Sequence, residues 1–360
     1  MAEQVRVGMI GTSWWADMVH LPTLKSHPQA LIAAICGRNQ ERAEEMAKKY
    51  EIPVVYTDYR QMIEKGDLQA VVVATPDDMH YPMVINALDA GLHVVCEKPL
   101  ASNVAQAREM YEKAEAVGVK HMIYFTNRWM PHFRYIRELI DDGFIGRLFS
   151  SHFHVFARYG GQLTGWRFDN RRGSGILGDL GSHLIDRAQW YIGDITKVSA
   201  SLGTFTDLAD DNRNSEPANN SALLTIEFAN GGHGTIHANG VAHVGNRAQQ
   251  QNIVLHGDLG TLESTFSFTG EEIRAGRSGE QDLNTLSTPD SFWGEVDRSQ
   301  PFIAQTIETF SKQPIGNRLF IDAILEDKPI SPNFYDGLKV QKVIDAAIES
   351  HQSGRWVSVA

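Results

Sequence analysis

The sequence predicts an α/β domain with a parallel sheet over residues 1–125, followed by an α+β domain with a large, mainly antiparallel sheet over residues 126–360. Three observations lead there. Short apolar runs alternate with helix-like segments through the first third. After about residue 126 the runs lengthen and are joined by glycine-containing turns. Helical spacing returns at the end. A chain of 360 residues is long enough for two cores, since domains usually hold about 100–200 residues.

In chain order, "VRVGMIG" (5–11), "ALIAAIC" (30–36), "AVVVAT" (70–75), "HVVCE" (93–97) and "KHMIYF" (120–125) read as buried strands. Between them "NQERAEEMAKKY" (39–50), "HYPMVINALDAG" (80–91) and "NVAQAREMYEKAEAVG" (103–118) have helical spacing. Near-continuous apolar strands alternating with helices imply a parallel sheet covered on both faces. Such sheets bind ligands at the carboxyl ends of their strands. Further on, "RLFSSHFHVFARY" (147–159), "ALLTIEFANGGHGTIHANG" (222–240) and "NIVLHGDLGTLEST" (252–265) read as longer strands, the second a hairpin. One face of this second sheet is expected to stay available for a partner. "FIAQTIETFSKQ", "NRLFIDAILED" and "DGLKVQKVIDAAIESHQSG" close the chain as helices, and the acidic stretch 205–218 reads as a surface loop.

A net charge of −11 argues against a general nucleic-acid or anionic-membrane surface, while leaving room for a local basic pocket. Cys36 and Cys96 lie among strand-like residues, which suggests buried thiols in a reducing compartment. The N-terminus lacks the apolar run of a signal peptide, and no stretch reaches the roughly 18 apolar residues of a membrane span. A cytoplasmic protein is the expectation.

"VGMIGTSWWADMVHLP" runs from strand into helix, the context in which a glycine fingerprint signals a dinucleotide-binding domain of the Rossmann type. Gly11 is present; Ser13 and Ala16 stand where the second and third glycines would fall. Gly11 allows the tight turn, Ser13 a close backbone approach, and Ala16 helix–strand packing. The helix N-terminus would then hold a pyrophosphate. Thr12 and Trp14 in this turn are further candidate cofactor contacts. An ordinary strand-to-helix turn would read the same way. After the second strand, an NAD site usually has an acid on the ribose 2′-hydroxyl. Here Gly37 and Arg38 stand instead. The guanidinium could pair with a 2′-phosphate, so the expectation leans to NADP over NAD. Thr75 and Pro76 in "ATPDD", with His80 beyond, follow another strand end and are also candidates.

"VVCEKPLAS" (94–102) ends a strand with Glu97 and Lys98, and Pro99 stops the ladder. "GILGDLGSHLIDRAQWYIG" holds Asp179 and His183 four residues apart, one turn along a helix face if the segment is helical. A lysine, an imidazole and a carboxylate together can take a proton from a hydroxyl as hydride leaves the same carbon. Imidazole, with an ordinary pKa near 6.5, suits the base, and an ammonium stabilises the developing alkoxide. Alone, His183 would read as a hydrogen-bonded helix histidine and Asp179 as a cap.

In these motifs the chain resembles the glucose–fructose oxidoreductase / inositol dehydrogenase / rhizopine-catabolism (Gfo/Idh/MocA) family over essentially its whole length. The resemblance rests on the fingerprint, "ATPDDMHYPMVINALDAGLHVVCEKPLA", "GFIGRL", "GWRFD", "GDLGSHLID" and "GRWVSV". It implies Lys98 as the catalytic lysine, with Pro99 often bonded in cis. It implies His183 as the catalytic histidine and Asp179 as the carboxylate that binds a substrate hydroxyl. Glu97 would lie close to the nicotinamide ribose, and Trp166 and Arg167 near the nicotinamide. The Gly37–Arg38 departure leaves the choice of cofactor open.

The remaining candidates have two readings each. His152 and His154 share a strand face that reads either as a polar sheet surface or as reaching a substrate or a metal, with nothing supplying further ligands; no metal is expected. His233, His237 and His243 read as surface or interface residues. Asn127, Arg128 and Tyr159 are candidate substrate contacts, with a structural salt bridge the other reading of Arg128. Arg171 and Arg172 either hold a loop or stay solvated.

The resulting expectation is an NAD(P)-dependent dehydrogenase acting on a secondary alcohol of a sugar, polyol or inositol, with no nucleic-acid or membrane partner. A homodimer or homotetramer through the second sheet is expected. Two rivals stand beside it: an NAD-dependent glycoside hydrolase using transient oxidation, and a non-catalytic sugar sensor on the same fold. The intact Lys98, Asp179 and His183 count against the sensor. Specificity is expected to reside in loops near 126–135 and 155–175.

Overall fold

The computed structural model describes residues 4–159, 165–206 and 216–359. Most of the acidic loop expected at 205–218, and part of the specificity loop at 155–175, lie outside the described residues. The chain divides into two compact units. One comprises Met1–Trp129, Glu295–Asp297 and Thr306–Leu338; the other comprises Met130–Gly294, Arg298–Gln305 and Lys339–Ala360. The segments 295–297 and 306–338, which lie well past the sequence boundary, thus belong to the first unit.

The first unit contains β1 (Val5–Ile10), β2 (Ala30–Cys36), β3 (Val54–Tyr56), β4 (Ala70–Val73), β5 (His93–Cys96) and β6 (His121–Ile123). They form a parallel sheet in the order β3-β2-β1-β4-β5-β6. This is the doubly wound order, with a switch point between β1 and β4. Every residue of β4 is buried, as expected for a strand covered on both faces. The helix Gln40–Tyr50 starts where the Asn39 side chain accepts the Arg42 N–H, and Val104–Val117 starts in the same way at Asn103. Phe310 and Phe320, from the late segment, complete the core around Met9, Ile35, Val72 and Val95. Neither β3 nor the helix Tyr59–Lys65 is evident from the sequence. A three-residue edge strand with an exposed Val54 has too little apolar periodicity to announce itself.

The second unit contains β7 (Leu148–Ala157), β8 (Ile195–Gly203), β9 (Ser221–Phe228), β10 (His233–Asn239), β11 (Gln249–Gly257), β12 (Gly260–Ser267), β13 (Gly270–Arg277), β14 (Asn284–Leu286) and β15 (Val357–Ser358). Among the described residues these make one nine-stranded sheet in the order β14-β13-β12-β11-β7-β10-β9-β8-β15. Only the β10–β7 pairing is parallel. The expected hairpin is β9–β10, turned through Gly231 at φ +84°. Alternate residues such as Phe153, Val155, Ile236, Ile253 and Leu255 are buried, with the helix Ser182–Ile192 against β7 and β10. On the other face His152, His154, Phe156, His237 and Val254 stay half-buried. The strands β8 and β13 escape the sequence reading because "ITKVSASLG" and "GEEIRAGR" carry small and charged residues. Neighbouring strands supply the burial that these sequences do not advertise.

Candidate active site

Gly11 follows β1 at φ +119°, and a Cβ there would stand 2.2 Å from the Ala74 carbonyl oxygen. Only glycine fits this turn. Its N–H bonds the Cys36 carbonyl at 2.9 Å, and the Ala74 N–H bonds Ile10 at 2.8 Å, so the turn is pinned between β2 and β4. The Ser13 hydroxyl accepts the Ala16 N–H at 3.1 Å. A wide π-helical turn, Ala16–His20, follows and runs into the helix Leu21–Lys25. Thr12 is half-buried, Ser13 is exposed, and Trp14 is 63% exposed. This turn fits a dinucleotide phosphate on steric grounds, because the backbone is bare where the phosphate must approach. At the end of β2, a Cβ on Gly37 would meet the Thr12 methyl at 2.5 Å. Arg38 is exposed and has no ion pair or hydrogen bond with the described residues.

β5 leads directly into Glu97, half-buried Lys98 and Pro99, and the Lys98–Pro99 peptide is cis. The Glu97 carboxylate is enclosed. Its Oε1 accepts from Trp15 Nε1 at 2.9 Å and lies 2.8 Å from His20 Nε2, while Oε2 accepts the Lys98 N–H at 3.2 Å. Burial pushes this carboxyl up. The hydrogen bond from His20, with the Lys98 ammonium and N–H, outweighs that push and holds it below its ordinary value of 4.5. Trp15 and His20 escape the sequence reading, because separations of 82 and 77 residues leave no local signal.

His80 needs correction. Expected to touch the cofactor, it is fully buried, with Nδ1 2.8 Å from the Pro99 carbonyl and Nε2 3.0 Å from the Thr75 carbonyl. Its polar contacts are spent inside the protein, so it braces the ends of β4 and β5. Burial lowers its pKa from 6.5 despite both carbonyls. Thr75 and Pro76 are half-buried at the head of the helix Asp77–Asp89, where Pro76 is the N-cap. Asn127 is buried in a short turn. Arg128 pairs with Asp336 at 3.1 Å and bonds the Ser331 hydroxyl at 3.2 Å, the structural salt bridge that was one of its two readings.

In the second unit a π-helical turn, Leu177–Gly181, precedes the helix Ser182–Ile192. Such turns gather at functional sites. From residue 175 to 189 every position is buried except Asp179 and His183. These two groups are therefore the openings in an otherwise closed segment. Asp179 is held from two sides. The Tyr159 hydroxyl donates to its Oδ2 at 2.7 Å, and Arg167 Nε stands 3.5 Å from its Oδ1. Arg167 also lies over the Trp166 ring, 4.4 Å from its centroid. Withdrawal from water, then the charge and hydrogen bond of Asp179, push the Tyr159 phenol well above its ordinary 10, against the opposing Arg167 charge. Asp179 is thus held as an acceptor one turn from an imidazole, an arrangement able to orient a hydroxyl for deprotonation. Lys98 and the Asp179–His183 pair belong to different units.

Elsewhere, Arg171 bonds Asp169 through Nη2 at 2.8 Å. His152 and His154 share a face of β7, with rings 6.1 Å apart, and His154 stands 6.2 Å from His237. His233 is exposed, and His243 Nδ1 lies 3.3 Å from Arg158 Nη1.

Comparison with known proteins also finds two domains in the chain. A family model described as an oxidoreductase family, NAD-binding Rossmann fold, matches residues 5–125, and the family's C-terminal alpha/beta domain matches residues 137–359. The chain is 29% identical to the levoglucosan dehydrogenase of Pseudarthrobacter phenanthrenivorans over 349 residues, 90% of this chain and 88% of that one. It is 30% identical to the D-glucoside 3-dehydrogenase of Escherichia coli over 240 residues, 63% of this chain and 68% of that one. A structure of levoglucosan dehydrogenase in complex with NADH and levoglucosan superposes with a TM-score of 0.87 at 26% identity, covering 99% of this chain and 100% of that one.

Proposed function

Because the chain belongs to the Gfo/Idh/MocA oxidoreductase family, with its NAD-binding Rossmann domain and C-terminal α/β domain, we propose that it is a dehydrogenase oxidising a secondary alcohol of a sugar or polyol. The observation that carries this reading is Asp179, held by Tyr159 and Arg167 beside His183 in an otherwise buried segment. Asp179 accepts a hydrogen bond from a substrate hydroxyl and so sets its orientation. His183 takes the hydroxyl proton, and the Lys98 ammonium stabilises the alkoxide as the carbonyl forms. A nicotinamide dinucleotide, when bound, supplies the hydride acceptor. Gly11, Thr12 and Ser13 hold its phosphates. Relatives that act on levoglucosan and on D-glucosides support a carbohydrate substrate.

We also propose a preference for NADP. An acid at position 37 would collide with Thr12 unless that side chain moved, and Arg38 faces solvent with its guanidinium uncommitted among the described residues. Self-association is assigned to the face of the nine-stranded sheet that carries His152, His154 and His237. A reducing cytoplasmic setting fits two free, buried thiols. Among the described residues no helix is long and apolar enough to cross a membrane.

The test is a spectrophotometric screen of sugars, polyols and inositols with NAD and NADP in parallel. Reduced nicotinamide must appear with at least one sugar or polyol. The Lys98→Met variant must lose turnover while still binding cofactor; near-wild-type turnover in that variant would remove Lys98 from the mechanism.

A further inference from the structure

The carboxylate of Glu97 joins parts of the first unit that the sequence keeps far apart. Trp15 comes from the turn after β1, His20 from the end of the π turn, Lys98 from the segment after β5, and Asn317 from the helix Asn317–Leu325. His20 and Asn317 are both fully buried. Asn317 Nδ2 lies 3.1 Å from His20 Nδ1 and 3.2 Å from the His20 carbonyl oxygen. A carbonyl can only accept, so the amide nitrogen faces it, and its second hydrogen is directed at Nδ1. The ring proton then sits on Nε2, pointing at Glu97 Oε1, 2.8 Å away. The Tyr124 ring, 4.3 Å from that of His20, closes the side. Each member is thereby confined to one orientation.

The consequence lies at both ends of the network. Trp15 Nε1 shares Glu97 Oε1 with His20, so a shift of the phosphate-side turn moves the carboxylate. The other oxygen holds the N–H of Lys98, the residue proposed to stabilise the alkoxide. We propose that Glu97, aligned by Trp15, His20 and Asn317, is a positioning residue that couples occupation of the dinucleotide turn to the orientation of the Lys98 segment. This rests on the dehydrogenase reading for its effect on turnover, but the coupling itself does not require a substrate. The lowered pKa of Glu97 agrees with it, since the anion is the form that accepts all three bonds.

The experiment uses the full chain as Trp15→Phe and His20→Gln, with NADH and NADPH as probes. Hydrogen exchange is followed by mass spectrometry on the peptide spanning 94–102. In the wild type, whichever reduced cofactor binds more tightly slows exchange of this peptide. In both variants basal exchange rises about fivefold or more and the response to cofactor disappears, while cofactor affinity by fluorescence titration stays within about threefold. With the best substrate of the screen, kcat falls about tenfold or more and KM changes little, the size expected for losing a hydrogen bond to a charged group. Trp15→Phe keeps the ring and its packing, so it carries the test if His20→Gln does not fold. Wild-type exchange, cofactor response and kcat in Trp15→Phe would overturn the proposal. So would a loss of melting temperature in the variants with kcat and the exchange response intact, the pattern of a merely structural bond. If the wild type oxidises no compound in the screen, the dehydrogenase reading fails, and the exchange measurement still decides the coupling.

Discussion

Replacing Tyr159 by phenylalanine removes one oxygen and leaves the ring, which makes it the sharpest probe of Asp179. The lost bond is the 2.7 Å donation from the phenol to Oδ2. A hydrogen bond to a charged group contributes about 1.5–3 kcal/mol. Arg167 also supports Asp179, but it stands at 3.5 Å with its side chain 40% exposed, so solvent screening limits what it can make up. At about 1.36 kcal/mol per decade, kcat/KM for the best sugar is expected to fall between about tenfold and about 150-fold. The phenol is pushed above its ordinary 10, so it remains a donor across the working range. The ratio of wild type to variant should therefore stay flat from pH 6 to about pH 10. The assay is steady-state reduction of nicotinamide at several pH values, with cofactor affinity and melting temperature as controls. A kcat/KM within about twofold of wild type would refute the reasoning. A ratio that collapses below pH 10 would do so as well, because the phenol would then have titrated.

Three further outcomes follow from the first unit. Gly11→Ala forces a side chain into the Ala74 carbonyl at positive φ; strain of about 1–3 kcal/mol should lower the melting temperature and weaken cofactor binding, both measurable by thermal shift with and without NADH. Arg38→Ala should reduce the NADP-to-NAD ratio of kcat/KM about tenfold or more, and an unchanged ratio would remove Arg38 from cofactor choice. His80 has its folded pKa below 6.5, so the stability it contributes is complete above pH 6.5 and is lost as pH falls through the folded value. The melting temperature of the wild type should therefore drop on acidification by more than that of His80→Gln, which has no proton to gain.

The sequence alone determined what is local and repetitive. The buried strands from β1 to β6 other than β3 are continuous apolar runs, and their alternation with helices implies a parallel sheet covered on both faces. Gly11 was legible because no other residue can turn there, and the hairpin at Gly231 because its glycines sit between two alternating strands. Lys98, Asp179 and His183 stood out as charged or titratable groups at strand ends and on a helix, and the family resemblance gave them roles. The tertiary structure decided which side chains these groups meet. His80 reads like a cofactor contact from its place after "ATPDD", yet burial turns it toward two backbone carbonyls. Arg128 was legible as a cation at a strand end, but its pairing with Asp336, 208 residues away, was not. Glu97 reads as a charge at a strand mouth; its bonds to Trp15 and His20 exist only because β1 and β5 flank β4 in one sheet. Periodicity and turn chemistry are set by neighbours in the chain, whereas the partner of a buried polar group is set by whichever distant segment the packed core brings within 3 Å.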